Sequence, residues 1–279
     1  MPTKVPYRAV FLSDVHLGSS ASRADDAADF LKHIETPTLY LLGDIIDMWR
    51  LRSRWHWPEP HNRFVRRVLK MVKHGTRVLF IPGNHDDPAR EYVGLAFGGV
   101  EIVREAVHQT ADGRRLLVVH GDEADAVVRH SRFLSMLGGV AYEKLVLANH
   151  WTNRIRRSMG LRPWSLSMAI KSKVKRACKF VACFEETLAT AAAERGLDGV
   201  ICGHIHKAEA RTTTSPHAPR VEYYNCGDWV ESCTALVEHD DGTMRVLQGR
   251  TFVEQFADEP ADETTAPPRP LSPPTPTRP

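Results

Sequence analysis

Short apolar runs recur along the chain. Arg8–Leu12, Leu39–Leu42, Val78–Ile81, Leu116–Val119, Val200–Cys202 and Val221–Tyr224 are three to five residues each. Runs of this length, without polar alternation, predict strands buried on both faces. Helical spacing appears between them. Ala24–Ile34 carries Asp25 and Asp26 near its start, where the helix dipole favours negative charge. Asn62–Lys73 is basic and amphipathic, and Phe184–Arg195 is Ala-rich and stops at Gly196. Strand–helix alternation predicts an α/β layered domain. Late in the chain, Val221–Tyr224, Ala235–Glu238 and Arg245–Leu247 are separated by Gly and Asp, as in a sheet finished by hairpins. There is no internal repeat.

The polar residues that end these runs carry the chemistry. The first strand leads into Ser13-Asp14-Val15-His16 and the second into Gly43-Asp44-Ile45-Ile46-Asp47. The next three lead into Gly83-Asn84-His85-Asp86, His120-Gly121-Asp122 and Gly203-His204-Ile205-His206. In open α/β sheets, ligands bind beyond the carboxyl ends of strands. Asp14, His16, Asp44, Asn84, His120, His204 and His206 are therefore expected at one edge. Their oxygen and nitrogen donors, with no thiolate, suit Mn²⁺, Fe²⁺ or Zn²⁺. Seven ligands exceed what one tetrahedral zinc needs and suit two divalent ions about 3.5–4 Å apart.

The ordered set D-x-H, G-D-x-x-D, G-N-H-D, H-G-D and G-H-x-H resembles the calcineurin-like metallophosphoesterases. All five blocks occur in order between Asp14 and His206. The resemblance implies a four-layer α/β/β/α sandwich with two metals, Mn²⁺ foremost, at the strand ends. By motif, Asp14, His16 and His206 would hold the first metal. Asp44 would bridge both, and Asn84, His120 and His204 would hold the second. Hydroxide bridging the two ions would attack a phosphoryl group. His85 would then serve the leaving oxygen as proton donor or charge stabiliser. Asp47 would orient that imidazole, or alternatively cap a helix. Asp86, Asp87 and Asp122 read as supporting or capping groups.

Charge separates one segment from the rest. The chain of 279 residues has net charge +3. Residues 127–180 alone hold 12 Lys/Arg and one acid, Glu143; the remainder carries 25 basic and 33 acidic groups. This basic segment lies between the fourth and fifth motif blocks. The opening F-L-S-D-V-H-L-G and the G-D-I-I-D-M-W block look like the UDP-2,3-diacylglucosamine diphosphatase branch of the family, an enzyme of lipid A synthesis. That branch inserts helices at the same place, and they cap the site, hold acyl chains and meet the membrane. The resemblance thus implies a phosphoesterase domain over residues 1–256 with a helical cap insertion at 127–180. The position after Asn in the third block is Arg in that branch and His85 here, as in generic phosphoesterases.

The insertion mixes cations with Leu, Phe and Trp, which suits an anionic bilayer surface or a lipid-linked diphosphate. Arg154, Arg156 and Arg157 there, and Arg50, Arg52 and Arg54 beside three tryptophans, are candidates for binding anionic groups. An ordinary basic face packed on the core, and a nuclease groove, are competing readings of the same residues. A non-catalytic membrane-associated scaffold is a third. Residues 257–279, with eight of the 18 prolines, predict a disordered tail. The five cysteines form no C-x-x-C pair, and no apolar run is long enough to cross a bilayer. A cytoplasmic protein, peripheral on the inner membrane face, is the expectation.

Overall fold

The computed structural model describes residues 3–124, 166–215 and 218–257. Arg154, Arg156, Arg157 and the tail from residue 258 lie outside the described residues, as does most of the basic segment. The first half of the chain forms β1 (Val5–Pro6), β2 (Ala9–Leu12), α1 (Ala24–Lys32), β3 (Ile34–Glu35), β4 (Thr38–Leu42), α2 (Met48–Ser53) and α3 (Glu59–Lys73). Strands β5 (Arg77–Ile81), β6 (Ala96–Phe97), β7 (Val100–Ile102), β8 (Ala106–Gln109) and β9 (Arg115–Val118) follow. The remainder forms α4 (Leu166–Glu194), β10 (Gly199–Cys202), β11 (Glu209–Ser215), β12 (Ala218–Asn225), β13 (Thr234–Glu238), β14 (Met244–Gln248) and α5 (Gly249–Glu254).

Two mixed sheets result. The larger has the order β14-β13-β2-β4-β5-β7-β6, with β2, β4, β5 and β7 parallel. The smaller has the order β11-β12-β10-β9-β8, with β9, β10 and β12 parallel. Three apolar layers show how the sheets stack. Phe11, Tyr40, Leu42, Leu79 and Ile81 meet Leu116, Val118, Ile201 and Tyr224 between the sheets. Ala27, Phe30 and Leu31 of α1 and Phe64 and Val68 of α3 cover the outer face of the larger sheet. Phe184, Leu188, Ala189 and Ala192 of α4 cover Leu117, Val200 and Tyr223 on the smaller sheet. The architecture is the four-layer α/β/β/α sandwich. A strand such as β4 reads as continuously apolar because it is covered on both faces.

Several boundaries differ from the sequence pattern, each for a tertiary reason. The first helix stops at Lys32, because Ile34 leaves it to pair with Val5. The late strands do not finish one sheet. β12 joins the smaller sheet, whereas the β13–β14 hairpin extends the larger one through antiparallel pairing of β13 with β2. The Ala-rich helix expected from Phe184 begins at Leu166 and runs on unbroken. It therefore passes through the end of the stretch set off as an insertion. Among the described residues, no helix is long and apolar enough to cross a membrane.

Candidate metal centre

The strand-end loops are knitted together past the sheets themselves. Asp14 N donates to Gly43 O (3.1 Å), His16 N to Asp44 O (2.9 Å) and Leu17 N to Ile45 O (2.8 Å), prolonging the β2–β4 ladder. Gly203 N donates to His120 O (3.1 Å), prolonging the β9–β10 ladder. The two sheets meet where His204 N donates to Asp14 Oδ2 at 2.9 Å. This backbone web explains how residues up to 192 positions apart come to share one centre.

Asp14, His16 and His206 form one group whose ligand atoms all lie within 4.8 Å of one another, and Asp44, His120 and His204 form a second. His16, Asp47 and His85 form a third, sharing His16 with the first. Close approach of these side chains depends on bare backbone. A β-carbon on Gly83 would press into Asp44 and His120, and one on Gly203 would press into Ser13 and Asp14.

Two observations set this cluster apart. Among the described residues, six non-glycine residues have left-handed backbone, and five of them are Asp14, His16, Asp44, His204 and His206. That conformation costs an L-residue roughly 1 kcal/mol or more, and such concentrated strain marks functional sites. The second observation is unmet valence. Asp14 Oδ1, His16 Nε2, Asn84 Oδ1 and His120 Nε2 are buried and make no hydrogen bond. Burying polar atoms without a partner is costly, and divalent cations take O and N donors of this kind. The residues present fit a pair of divalent cations.

The partners that do exist fix ligand orientation. His120 Nδ1 donates to Leu42 O at 2.8 Å, so Nε2 is the nitrogen that would face a metal. Asp44 Oδ1 accepts from His85 N at 2.8 Å. Ser13 Oγ donates to Leu42 O at 2.6 Å and lies against the Asp14 carboxylate. The charges are strongly interdependent. Burial disfavours the His16 and His120 imidazolium ions, but carboxylates outweigh it and raise both to about 10: Asp14 and Asp47 for His16, Asp44 foremost for His120. Burial likewise opposes ionisation of Asp44, yet the His120 charge brings it down to about 2.

His85 is gripped on several sides. Its Nδ1 donates to Asp47 Oδ1 at 3.1 Å, and its carbonyl accepts from Met48 N at 3.1 Å. The Trp49 ring lies 4.3 Å from its ring, and His16 packs edge-on at 4.7 Å. Asp47 combines both roles weighed for it. One oxygen that accepts from His85 also caps α2 by accepting from Arg50 N at 3.0 Å. Arg50 Nε also lies 3.4 Å from Asp47 Oδ2. Arg50, Arg52 and Arg54 are exposed and are not among the clustered side chains.

Two supports complete the centre: Asp86, expected as a supporting or capping group, and a run that the sequence reading missed. Asp86 is fully buried and accepts from Ile45 N at 2.8 Å and from Asp44 N and Gly83 N. Burial first, then the Asp44 charge, raise its carboxyl to about 6. The run Asn225-Cys226-Gly227-Asp228, which begins on the last residue of β12, is the other. Asn225 Nδ2 donates to Gly203 O at 2.8 Å, and Trp229 N donates to Asp14 O at 3.0 Å. The signal was available, since this run repeats the strand-then-Gly-Asp punctuation of the earlier blocks.

A UDP-2,3-diacylglucosamine hydrolase of Cellvibrio japonicus is 26% identical over 225 residues, covering 79% of this chain and 90% of that protein. One of Aliivibrio fischeri is 25% identical over 245 residues, covering 83% and 94%. Vacuolar protein sorting 29 of Cryptosporidium parvum aligns in structure with 12% identity and a TM-score of 0.37, covering 86% of this chain and 94% of that one. Residues 7–208 match the sequence model of the calcineurin-like phosphoesterases. The chain belongs to the calcineurin-like phosphoesterase family and is a metal-dependent phosphoester hydrolase.

Proposed function

We propose that the protein is a dimetal phosphoesterase cleaving a diphosphate bond, with UDP-2,3-diacylglucosamine or a close analogue as substrate. The observation that carries the chemistry is the pairing of two ligand trios, Asp14, His16 and His206 with Asp44, His120 and His204, in which the buried Asp14 Oδ1, His16 Nε2 and His120 Nε2 make no hydrogen bond. Asp14, His16 and His206 would hold one ion; Asn84, His120 and His204 would hold the other; Asp44 would bridge them. When bound, the ions supply a nucleophile at neutral pH and neutralise phosphoryl charge. Mn²⁺ suits the donors, with Fe²⁺ and Zn²⁺ as competitors.

The chain's own residues supply the remaining steps. Asp47 accepts a hydrogen bond from His85 Nδ1 and so orients the ring, and in the doubly protonated imidazolium Nε2 would give its proton to the departing oxygen, leaving the neutral Nδ1–H ring on Asp47. The backbone bonds at both ends of His85 hold that nitrogen in place. Arg50, Arg52 and Arg54 bind substrate oxyanions. The substrate assignment rests on the two hydrolases named above and on the basic insertion at 127–180. In this reading the insertion, with Arg154, Arg156 and Arg157, covers the site and meets the cytoplasmic face of the membrane.

A mass-spectrometric screen tests the assignment. Purified Mn²⁺-loaded protein is offered UDP-2,3-diacylglucosamine, simple nucleotide diphosphates and bis(p-nitrophenyl) phosphate. Release of UMP and the acylated sugar 1-phosphate is expected. Turnover of the aryl diester alone would overturn the substrate; turnover of none would overturn the function.

A further inference from the structure

The tryptophans around Arg50, Arg52 and Arg54, namely Trp49, Trp55 and Trp57, take no part in the chemistry above. Trp55 is 74% exposed and Trp49 47%. Exposed indoles are costly to leave in water and mark binding surfaces when clustered. These are also firmly mounted. Trp55 stacks on Trp57, with ring centroids 6.2 Å apart and planes 27° from parallel. Trp57 is held from behind, since its Nε1 donates to Asn62 Oδ1 at 2.9 Å and its ring meets His61 edge-on at 5.3 Å.

The mount joins the metal loop at two points. His61 Nδ1 accepts from Gly18 N at 3.2 Å, and Gly18 sits two residues after His16. Leu51 of α2 fills the space over the same glycine, where a β-carbon would come within 2.7 Å of Leu51 Cγ. Trp49 thus lies against His85, and the Trp55–Trp57 pair sits in the short connection between α2 and α3, whose Leu51 and His61 are pinned beside Gly18. A rigid aromatic face with neighbouring guanidinium groups has a specific complement. A planar heteroaromatic ring stacks on indole, and an attached phosphate pairs with arginine.

We propose that this face is a nucleobase platform, with Trp55 as the stacking residue and Trp57 as its backing. The inference rests on reading the adjacent centre as a phosphoesterase site, and it assigns the nucleotide moiety of the substrate to this side of it. Isothermal titration of the Mn²⁺-loaded full chain with UMP and with ribose 5-phosphate tests it. The base should tighten binding about ten-fold, and AMP, the stronger stacker, should bind tighter than UMP. In Trp55→Ala the advantage of UMP over ribose 5-phosphate should fall to within about two-fold, with Trp55→Phe retaining most of it. Melting temperature and Mn²⁺ content should stay at wild-type values, since Trp55 is exposed. Equal wild-type affinity for UMP and ribose 5-phosphate, or an unchanged ratio in Trp55→Ala, would overturn the platform. A base preference lost in Trp55→Ala, in a protein that hydrolyses no diphosphate, would support the platform while refuting the proposed function.

Discussion

Two clusters of buried histidine and carboxylate sit at opposite ends of the paired sheets. One is the candidate metal centre at the carboxyl ends of β2, β4, β5, β9 and β10. The other lies at the far end, where Glu238 pairs in register with Ala9 at the start of β2. There His108 Nε2 meets Glu238 Oε2 at 2.7 Å, and Tyr40 Oη lies 3.2 Å from His108 Nδ1. The second Glu238 oxygen accepts from Ala111 N at 2.7 Å and lies 3.3 Å from Arg8 Nε. Every polar atom of that His–Glu pair has a partner, and its backbone is ordinary. At the metal edge Asp14 Oδ1, His16 Nε2 and His120 Nε2 make no hydrogen bond, and the backbone at Asp14, His16 and Asp44 is left-handed. The side-chain types are the same. Unmet valence and strain, rather than residue type, distinguish a site poised for ligands from a clasp between sheets.

The contrast can be broken at either end. The largest effect is expected from Asp44→Ala. Activity should fall at least about 10³-fold, and the rise in melting temperature on adding Mn²⁺ should vanish. Glu238→Ala should do the reverse. Urea denaturation should show a loss of roughly 2–4 kcal/mol, because His108 and Ala111 N lose their buried acceptor. Metal content, by atomic absorption, should stay that of wild type. Wild-type stability in Glu238→Ala would show that the far cluster is not a clasp.

Asp47→Asn comes next in size. It keeps the shape but weakens the hold on His85, so turnover should drop about 10–100-fold with metal content nearly unchanged. Loss of the metals instead would make Asp47 a ligand through the group it forms with His16 and His85. The smallest effect is on pH dependence. In the metal-free fold His16 and His120 are raised to about 10. The stability they contribute is present below the unfolded value near 6.5 and is lost as pH rises towards 10. Metal binding needs these imidazoles neutral, so it releases protons and strengthens with pH. The melting-temperature gap between metal-loaded and metal-free protein should therefore widen from pH 6.5 to 9. A gap that narrows would put the protons elsewhere.

The two ends also differ in how far sequence discloses them. The metal edge is legible because each motif block follows directly on an apolar run, so Asp14, Asp44 and His120 could be assigned to one rim from local pattern alone. The far cluster is not, because His108 and Glu238 are 130 positions apart on strands of different sheets. Sheet membership is a matter of distant pairing, which misplaced β12 among the closing hairpins. Strand β8 alternates Ala, Val, His and Gln at a sheet edge, and β11 is Glu-Ala-Arg-Thr-Thr-Thr-Ser; neither carries the apolar run that marks a buried strand. The left-handed turns at Asp14 and His16 leave no compositional trace. They arise from the loops bonding to one another, which no residue type announces.

The glycines beneath the ligands carry a consequence for how such a protein can diverge. At Gly83 and Gly203 one added methyl would collide with the donors themselves. The floor of the site is thus closed to tinkering: mutation there is all or nothing. The surface that carries Trp55 and its arginines faces solvent and tolerates change in small steps. A lineage built on this frame can explore new substrates without touching its reaction, because the two are written on surfaces with opposite freedom to vary.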